Sequence, residues 1–455
     1  MENDFEHYLI EIRELLERGD LPRLRDLLDL MRIQDIAHAL MELEEEQIPQ
    51  VFATLPRGRK VDVFSYLDPH YQYRLLGYIS SAEARHILSE MLPDDLTALL
   101  EDLPGDEVRR LLRLLPFRAI RRALTLLGYP EDSVGRLMTT EFVSVRPDWT
   151  ITDSLAHIRE HSERGETVNV IFVTDDDRHL LHALPLKRFV LGRANDPVEK
   201  LPTGPVVSIN AQADQADAAR LIQHYDLEVL PVVDEDNILL GIITVDDVID
   251  VVEEETTEDF HKMGSVGMFN LSLRDAGFPL LYRKRIGWLL VLVALNLVGG
   301  TIIAGFEEAI EALVVLIFFL PLIIASGGNA GAQSSTLMVR ALAVGDVEAK
   351  DWLRLWGREF GVSIALGLTM GLAVSALGFW RGGPDVALLV AIAMTLVVAM
   401  GSLVGMMLPL ILTRLRMDPA TASVPLVTSA ADIVGILIYF SLAVAMLNLP
   451  AGGIL

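Results

Sequence analysis

Hydrophobic and polar positions divide the chain near residue 285. Before that point apolar residues come in short periodic groups. After it Leu, Val, Ile, Ala and Gly dominate, in stretches near the roughly 20 residues that a bilayer-crossing helix needs. Five such stretches are predicted: Ile286 to Gly305, Ala309 to Ser326, Gly361 to Phe379, Val386 to Leu412 and Thr421 to Leu447. An odd number of spans puts the two ends on opposite sides. Arg283, Lys284 and Arg285 precede the first span; Arg340, Lys350, Arg354 and Arg358 lie between the second and third; Arg414 and Arg416 lie between the fourth and fifth. Arg381 alone falls on the other face, so the positive-inside rule places the polar half in the cytoplasm and the C-terminus outside. The polar N-terminus, without a signal peptide's apolar core, points the same way.

Within the polar half, residues 1 to 130 are expected to be helical and punctuated by Leu55-Pro56, Asp68-Pro69, Leu92-Pro93, Leu103-Pro104 and Leu115-Pro116. This spacing suggests short helices stacked into a superhelix, an interaction or regulatory domain. Residues Met138 to Val252 read as two β-α-β copies. In the second, Leu230-Pro231-Val232-Val233-Asp234, a turn, and Gly241-Ile242-Ile243-Thr244-Val245-Asp246-Asp247 resemble a CBS domain. The first copy keeps the template at Leu137-Met138-Thr139, Val143-Ser144-Val145 and Val170 to Asp175, but Leu184-Pro185-Leu186-Lys187-Arg188-Phe189 replaces the usual signature. The expected fold is therefore multidomain: a cytoplasmic α-superhelical domain (1–130), α/β tandem CBS domains (131–200, degenerate, and 201–256), a connecting helix (257–281) and an all-α polytopic membrane domain of five helices (282–455). The resemblance implies that the pair senses an adenosine nucleotide or serves as a rigid adaptor. Thr244 and Asp247 can hydrogen-bond a ribose, or simply cap the following helix.

Charge narrows the function. The formal net charge is −25. After Arg285 ten acids oppose seven bases, which leaves −22 of it on the polar half. Such an excess argues against a nucleic-acid surface and favours cations. The chain has no Cys, which removes disulfides, thiolate metal sites and cysteine nucleophiles, among them a CBS-containing oxidoreductase. A membrane metalloprotease would need His-Glu-x-x-His in a span, and no His follows His261. No enzyme chemistry is expected.

Three features carry candidate chemistry. Asp432 lies within the last apolar stretch, where insertion scales put a carboxylate at about 2.5 to 3.5 kcal/mol, and intramembrane acids commonly mark ion pathways. Thr421, Pro425, Thr428 or Ser429, and Asp432 recur at helical spacing, so they share one face. A purely structural Asp bonded to a neighbouring helix is the other reading. The second span runs through Pro321 into Ser326-Gly327-Gly328-Asn329-Ala330-Gly331-Ala332-Gln333-Ser334-Ser335. This segment is expected either to break and offer carbonyls with Asn329 and Gln333 to a cation, or to pack closely on a neighbour. Finally, Asp246, Asp247, Asp250, Glu253, Glu254, Glu255, Glu258 and Asp259 crowd one helix before the spans. Like charges at i,i+4 repel, which invites divalent counter-ions; a solvated acidic face is the plainer reading.

Domain order, Thr257-Glu258-Asp259-Phe260-His261-Lys262, Gly327-Gly328-Asn329 and Asp418-Pro419-Ala420 together resemble the MgtE magnesium transporters and channels over essentially the whole chain. The resemblance implies a homodimer in the cell membrane with a pore on its axis, Mg2+ as the transported and regulatory ion, Asp432 as the pore ligand, and residues 257–281 as a plug. It also implies that cytosolic Mg2+ bridges acidic domains to hold the closed state. The matching sensing positions are Asp62, Asp94, Asp95, Asp214, Asp226, Asp247, Asp250, Glu255, Glu258 and Asp259, and ATP is the nucleotide candidate for the CBS pair. Ala332, Val424, Ala216 and Arg136 depart from the family pattern. A proton-coupled carrier of another divalent cation such as Co2+ or Mn2+, or a sensor that transports nothing, are the competing functions.

Overall fold

In the computed structural model, which describes residues 2–101, 103–162, 166–268, 276–347, 350 and 352–450, prolines set the helix starts of the first domain. Ten short helices follow one another: α1 (Glu2–Arg18), α2 (Leu21–Leu30), α3 (Ile33–Met41), α4 (Ile48–Thr54), α5 (Arg57–Ser65), α6 (Pro69–Tyr78), α7 (Ser81–Glu90), α8 (Pro93–Glu101), α9 (Gly105–Leu112) and α10 (Phe117–Leu126). Pro56, Pro104 and Pro116 are the N-cap residues of α5, α9 and α10, while Pro69 and Pro93 open α6 and α8. Proline lacks the N–H that a first turn leaves unbonded anyway, and its clash with the preceding residue stops a helix from running through. Each helix then buries one apolar stripe, and Ile36, Phe52, Phe64, Leu88 and Leu99 form a continuous core.

The two β-α-β copies repeat one plan. The first contains α11 (Val134–Leu137), β1 (Ser144–Val145), α12 (Ile151–His161), β2 (Val170–Thr174), β3 (Leu180–Pro185) and α13 (Leu186–Leu191). The second contains β4 (Ile209–Asn210), α14 (Gln215–Tyr225), β5 (Val229–Val233), β6 (Leu239–Thr244) and α15 (Val245–Met263). In each sheet a parallel pair is followed by an antiparallel hairpin, and the register matches: Val170 faces Pro185 as Val229 faces Thr244. The degenerate stretch thus keeps the strand-to-helix turn but loses its polar cap, since Pro185 stands at the N-cap of α13 with no side-chain bond. The copies interlock. Thr139 and Ile242 exchange two backbone hydrogen bonds of 2.9 Å, and a Cβ on Gly241 would lie 2.6 Å from the Thr139 carbonyl oxygen. Only glycine admits that approach.

The chain divides into two units, Met1–Glu253 and Glu254–Leu455. The second contains α16 (Phe278–Ala304), α17 (Glu307–Ala312), α18 (Val315–Ala343), α19 (Trp352–Arg414) and α20 (Val424–Leu447). Among the described residues four helices are long and apolar enough to cross a bilayer. At 1.5 Å per residue, the 63 residues of α19 far exceed a hydrocarbon core of about 30 Å. It is two spans, because Gly383 leaves helical geometry with φ 82° and ψ −173°. The halves pack back on each other: a Cβ on Gly367 would meet Thr395 at 2.7 Å, and one on Gly371 the Ala391 carbonyl at 2.6 Å. Five membrane-spanning segments result.

One expectation is corrected. The second span does not break at its glycines; α18 is continuous from Val315 to Ala343, with Pro321 inside it. The small residues serve close packing instead. A Cβ on Gly327 would lie 2.6 Å from Val397 Cγ1, and one on Gly331 would lie 2.8 Å from the Gly401 carbonyl of α19. Glycines facing glycines let membrane helices approach to backbone contact. Of the connecting segment 257–281, residues 257–263 continue α15, and 269–275 lie outside the described residues.

Candidate functional site

Packing of α20 on α18 places the intramembrane carboxylate. Tyr439 donates a buried hydrogen bond of 3.0 Å to the Leu316 carbonyl, and Ser335 donates one of 3.1 Å to that of Ala422, which fixes the two helices at both ends. Between these ties Asp432 is half-buried. Its Oδ1 is enclosed without a hydrogen-bond partner among the described residues and faces Gly328, whose Cβ, if present, would lie 3.1 Å away. The structural reading of Asp432, a carboxylate bonded to a neighbouring helix, is therefore unsupported at this oxygen. Thr428, one turn earlier, donates to its own Val424 carbonyl at 2.8 Å, and Pro425 is half-buried on the same helix. Asn329, Gln333 and Thr336 form an exposed polar stripe on α18. Lipid cannot satisfy such a stripe, so it requires water or a second chain against it. Ala332 and Val424 are half-buried beside these positions.

A second concentration of carboxylates lies where the helical domain meets both CBS copies. Asp94, in the first turn of α8, is only 9% exposed, with Oδ1 lacking a partner among the described residues. Burial, then the charges of Asp247, Asp95 and Glu166, hold its carboxyl well above the usual range. Asp95 is raised by burial and by Asp246 and Asp250, against a lowering hydrogen bond from Ser65. Asp247 is pushed up to about 6, chiefly by burial, although Thr244 donates to its Oδ2 from both Oγ1 (2.7 Å) and N (3.2 Å). The bond from Thr244 N is one half of a capping box at the start of α15, the Asp247 side chain accepting from the backbone N–H of the residue before the helix. Burial and the neighbouring Glu253 and Asp246 charges raise Asp250.

Glu166 joins this group unannounced by the sequence. It stands in the turn before β2, is pushed up to about 7 by burial and by Asp247, Asp246 and Asp95, and has a buried Oε2 with no partner among the described residues. A lone acid in a loop carries no spacing signal; only the fold brings it beside Asp94 and Asp247. Buried like charges of this kind suit a hydrated divalent cation. Among the described residues no three His, Asp or Glu side chains converge as a closed set of ligands. Mg2+ needs fewer, since it keeps several waters and accepts one or two carboxylates.

The other positions that the resemblance matched to cation sensing are dispersed. Asp62 is exposed on α5; Asp214 caps α14 through a 2.8 Å bond from Ala216 N; Asp226 ends that helix, exposed, at φ 52°. Arg136, in α11, pairs with Glu101 at 3.9 Å. On α15, Glu255 is half-buried, Glu258 pairs with Lys262 at 2.7 Å, and Asp259 is raised by burial and by Asp418. Lys262 also reaches Asp418 at 2.5 Å, ahead of α20, where Ser265 Oγ donates to Ser423 Oγ at 2.8 Å. The end of α15 is thus clasped to the loop that leads into the helix carrying Asp432.

Comparison with known proteins agrees with this layout. Residues 320–442 match the MgtE divalent cation transporter family, residues 31–132 the MgtE intracellular N domain, and residues 134–190 and 198–254 the CBS domain. A magnesium transporter MgtE of Thermus thermophilus is 37% identical over 97% of this chain and 99% of its own. One of Bacillus subtilis is 33% identical over 98% of each. The crystal structure of the cytosolic domain of the Mg2+ channel MgtE in complex with ATP is 34% identical, covers 53% of this chain and 99% of its own, and superposes with a TM-score of 0.51. The soluble part of a magnesium transporter is 26% identical over 55% of this chain and 99% of its own, with a TM-score of 0.52. The chain belongs to the MgtE family of magnesium transporters.

Proposed function

We propose that this protein conducts Mg2+ into the cell as a homodimer, along a path lined by α18 and α20 of both copies, with its C-terminus on the outer side. The observation that carries the reading is the enclosed Asp432 oxygen in the last span, which has no hydrogen-bond partner among the described residues. Two Asp432 carboxylates across a dimer axis offer a hydrated cation charge without stripping its water, which suits an ion that dehydrates reluctantly. Asn329, Gln333, Pro425 and Thr428 supply the remaining polar lining.

Gating follows from linkage. Cytosolic Mg2+ binds the compact arrangement of acidic domains better than a separated one, so high Mg2+ shifts the population towards closure. Asp94, Asp95, Asp247 and Asp250 supply the inner charges. Asp62, Asp214, Asp226, Glu255, Glu258 and Asp259 are the outer positions, and the segment 257–281 is the plug. The ATP complex named for the cytosolic relative supports ATP as a ligand of the CBS pair. Thr244 and Asp247 are the candidate ribose contacts.

A proton-coupled carrier of Co2+ or Mn2+ is the second reading, because a carboxylate at membrane depth also suits a proton relay. Flux into proteoliposomes with and without a pH gradient, against competing divalents, tests both. Mg2+ entry without a proton gradient is the expected result; entry that requires one favours the carrier, and none under any condition leaves a sensor.

A further inference from the structure

Arg381 stands apart from the other bases after residue 285, because it alone falls on the opposite face of the membrane half. Its setting is built by the chain turn around it. Gly383, at φ 82°, reverses the chain between the two halves of α19, and a Cβ on Gly382 would lie 2.6 Å from Val386 Cγ2. This tight turn lays the Arg381 side chain over rings from two helices. Its guanidinium carbon is 5.0 Å from the ring centre of the adjacent Trp380 and 5.0 Å from that of Phe318 on α18. Phe318 in turn packs edge-on against Phe319, which is fully buried in the core of the membrane half.

Stacking engages the faces of a guanidinium and leaves its in-plane N–H donors pointing outward. Among the described residues Arg381 has no hydrogen-bond acceptor and no carboxylate paired with it. A turn that joins two spans stands at the bilayer surface, where phospholipid phosphates are the abundant acceptors and tryptophan is at home. Trp380 is 75% and Phe318 46% exposed, so both rings remain open to lipid.

We propose that Arg381, Trp380 and Phe318 bind the headgroup phosphate of an anionic phospholipid. The guanidinium donates two parallel N–H bonds to phosphate oxygens, the geometry its planar fork matches, while the rings hold its plane and meet the apolar part of the lipid. A net negative headgroup is selected because a zwitterionic one carries its own ammonium beside the phosphate, in competition with Arg381. A lipid held there ties the turn of α19 to the start of α18, the helix that carries Gly328. The inference rests on the spans alone and is independent of which ion crosses them.

The test is the unfolding temperature of the full-length protein, stripped of lipid in neutral detergent, against added phosphatidylglycerol, phosphatidylcholine or inorganic phosphate. Phosphatidylglycerol is expected to raise it in the wild type, more than the other two do, and Arg381→Gln is expected to need about tenfold more of it for half the effect, the scale of losing a charged hydrogen bond. Equal titrations of wild type and Arg381→Gln overturn the proposal. So does a wild type that phosphatidylcholine stabilises equally, which removes the anionic preference, or one that inorganic phosphate stabilises equally, which makes the ligand a free anion. Should Arg381→Gln elute as aggregate, Arg381→Lys, which keeps the charge and loses the fork, carries the test, with a shift in the same direction expected and an unchanged titration overturning the proposal.

Discussion

Gly328 of α18 and Asp432 of α20 are matched across their interface: a Cβ at 328 would stand 3.1 Å from Asp432 Oδ1 and 2.7 Å from Thr428 Cγ2. The absent side chain makes the space that the carboxylate occupies. Gly328→Ala should therefore disturb the site without unwinding the helix, since alanine favours helix over glycine by about 1 kcal/mol. Mg2+ flux in proteoliposomes is expected to fall about tenfold, the scale of a displaced metal-site group, with helicity by circular dichroism unchanged. Wild-type flux would mean that the carboxylate's position beside α18 does not matter.

Lys262 joins Glu258 on its own helix to Asp418 ahead of α20. Half-exposed pairs of this kind are worth about 0.2 to 1 kcal/mol, so the clasp biases a gate rather than locks it. Lys262→Gln should raise the residual flux at saturating cytosolic Mg2+ by a factor of about two to five. Residual flux equal to wild type would show that the clasp plays no part in closure.

Much of this arrangement was legible in the sequence. The five prolines mark five helix starts because proline acts locally and the same way in any context. The second CBS copy and the number of spans were equally readable, since each rests on periodicity; the bounds of the second span were not, because Glu307–Ala312 is a separate short helix and α18 runs on from Val315 to Ala343. The continuous α18 was not. Gly327-Gly328 and Pro321 read as breakers on their own, but in a membrane the bonds they weaken have no water to turn to, and packing on Gly401 keeps the helix intact. Glu166 was hidden for a different reason, since its partners lie about 70 residues before and 80 after it, and a loop acid has no pattern.

The acid cluster makes stability depend on pH. Glu166 near 7 and Asp247 near 6 sit above their ordinary values of 4.5 and 3.8, so the folded protein binds more protons than the unfolded chain between about pH 4 and 7. Their contribution therefore falls as pH rises through that window and levels off above it. In metal-free buffer the first unfolding transition of the full-length protein should lie a few degrees higher at pH 5.5 than at pH 7.5, and millimolar Mg2+ at pH 7.5 should recover most of the difference. A transition that rises with pH in metal-free buffer, or that Mg2+ leaves alone, contradicts the charge account of the sensor.

All of this converges on one carboxylate in the last span. The direct measurement is Mg2+ entry into proteoliposomes carrying Asp432→Asn and Asp432→Ala, with oligomeric state checked in the same preparations. Removing the charge but not the shape is predicted to cut entry at least about tenfold in Asp432→Asn, and further in Asp432→Ala, while the dimer persists. Entry at the wild-type rate in either intact variant would contradict the assignment of Asp432 to the ion path.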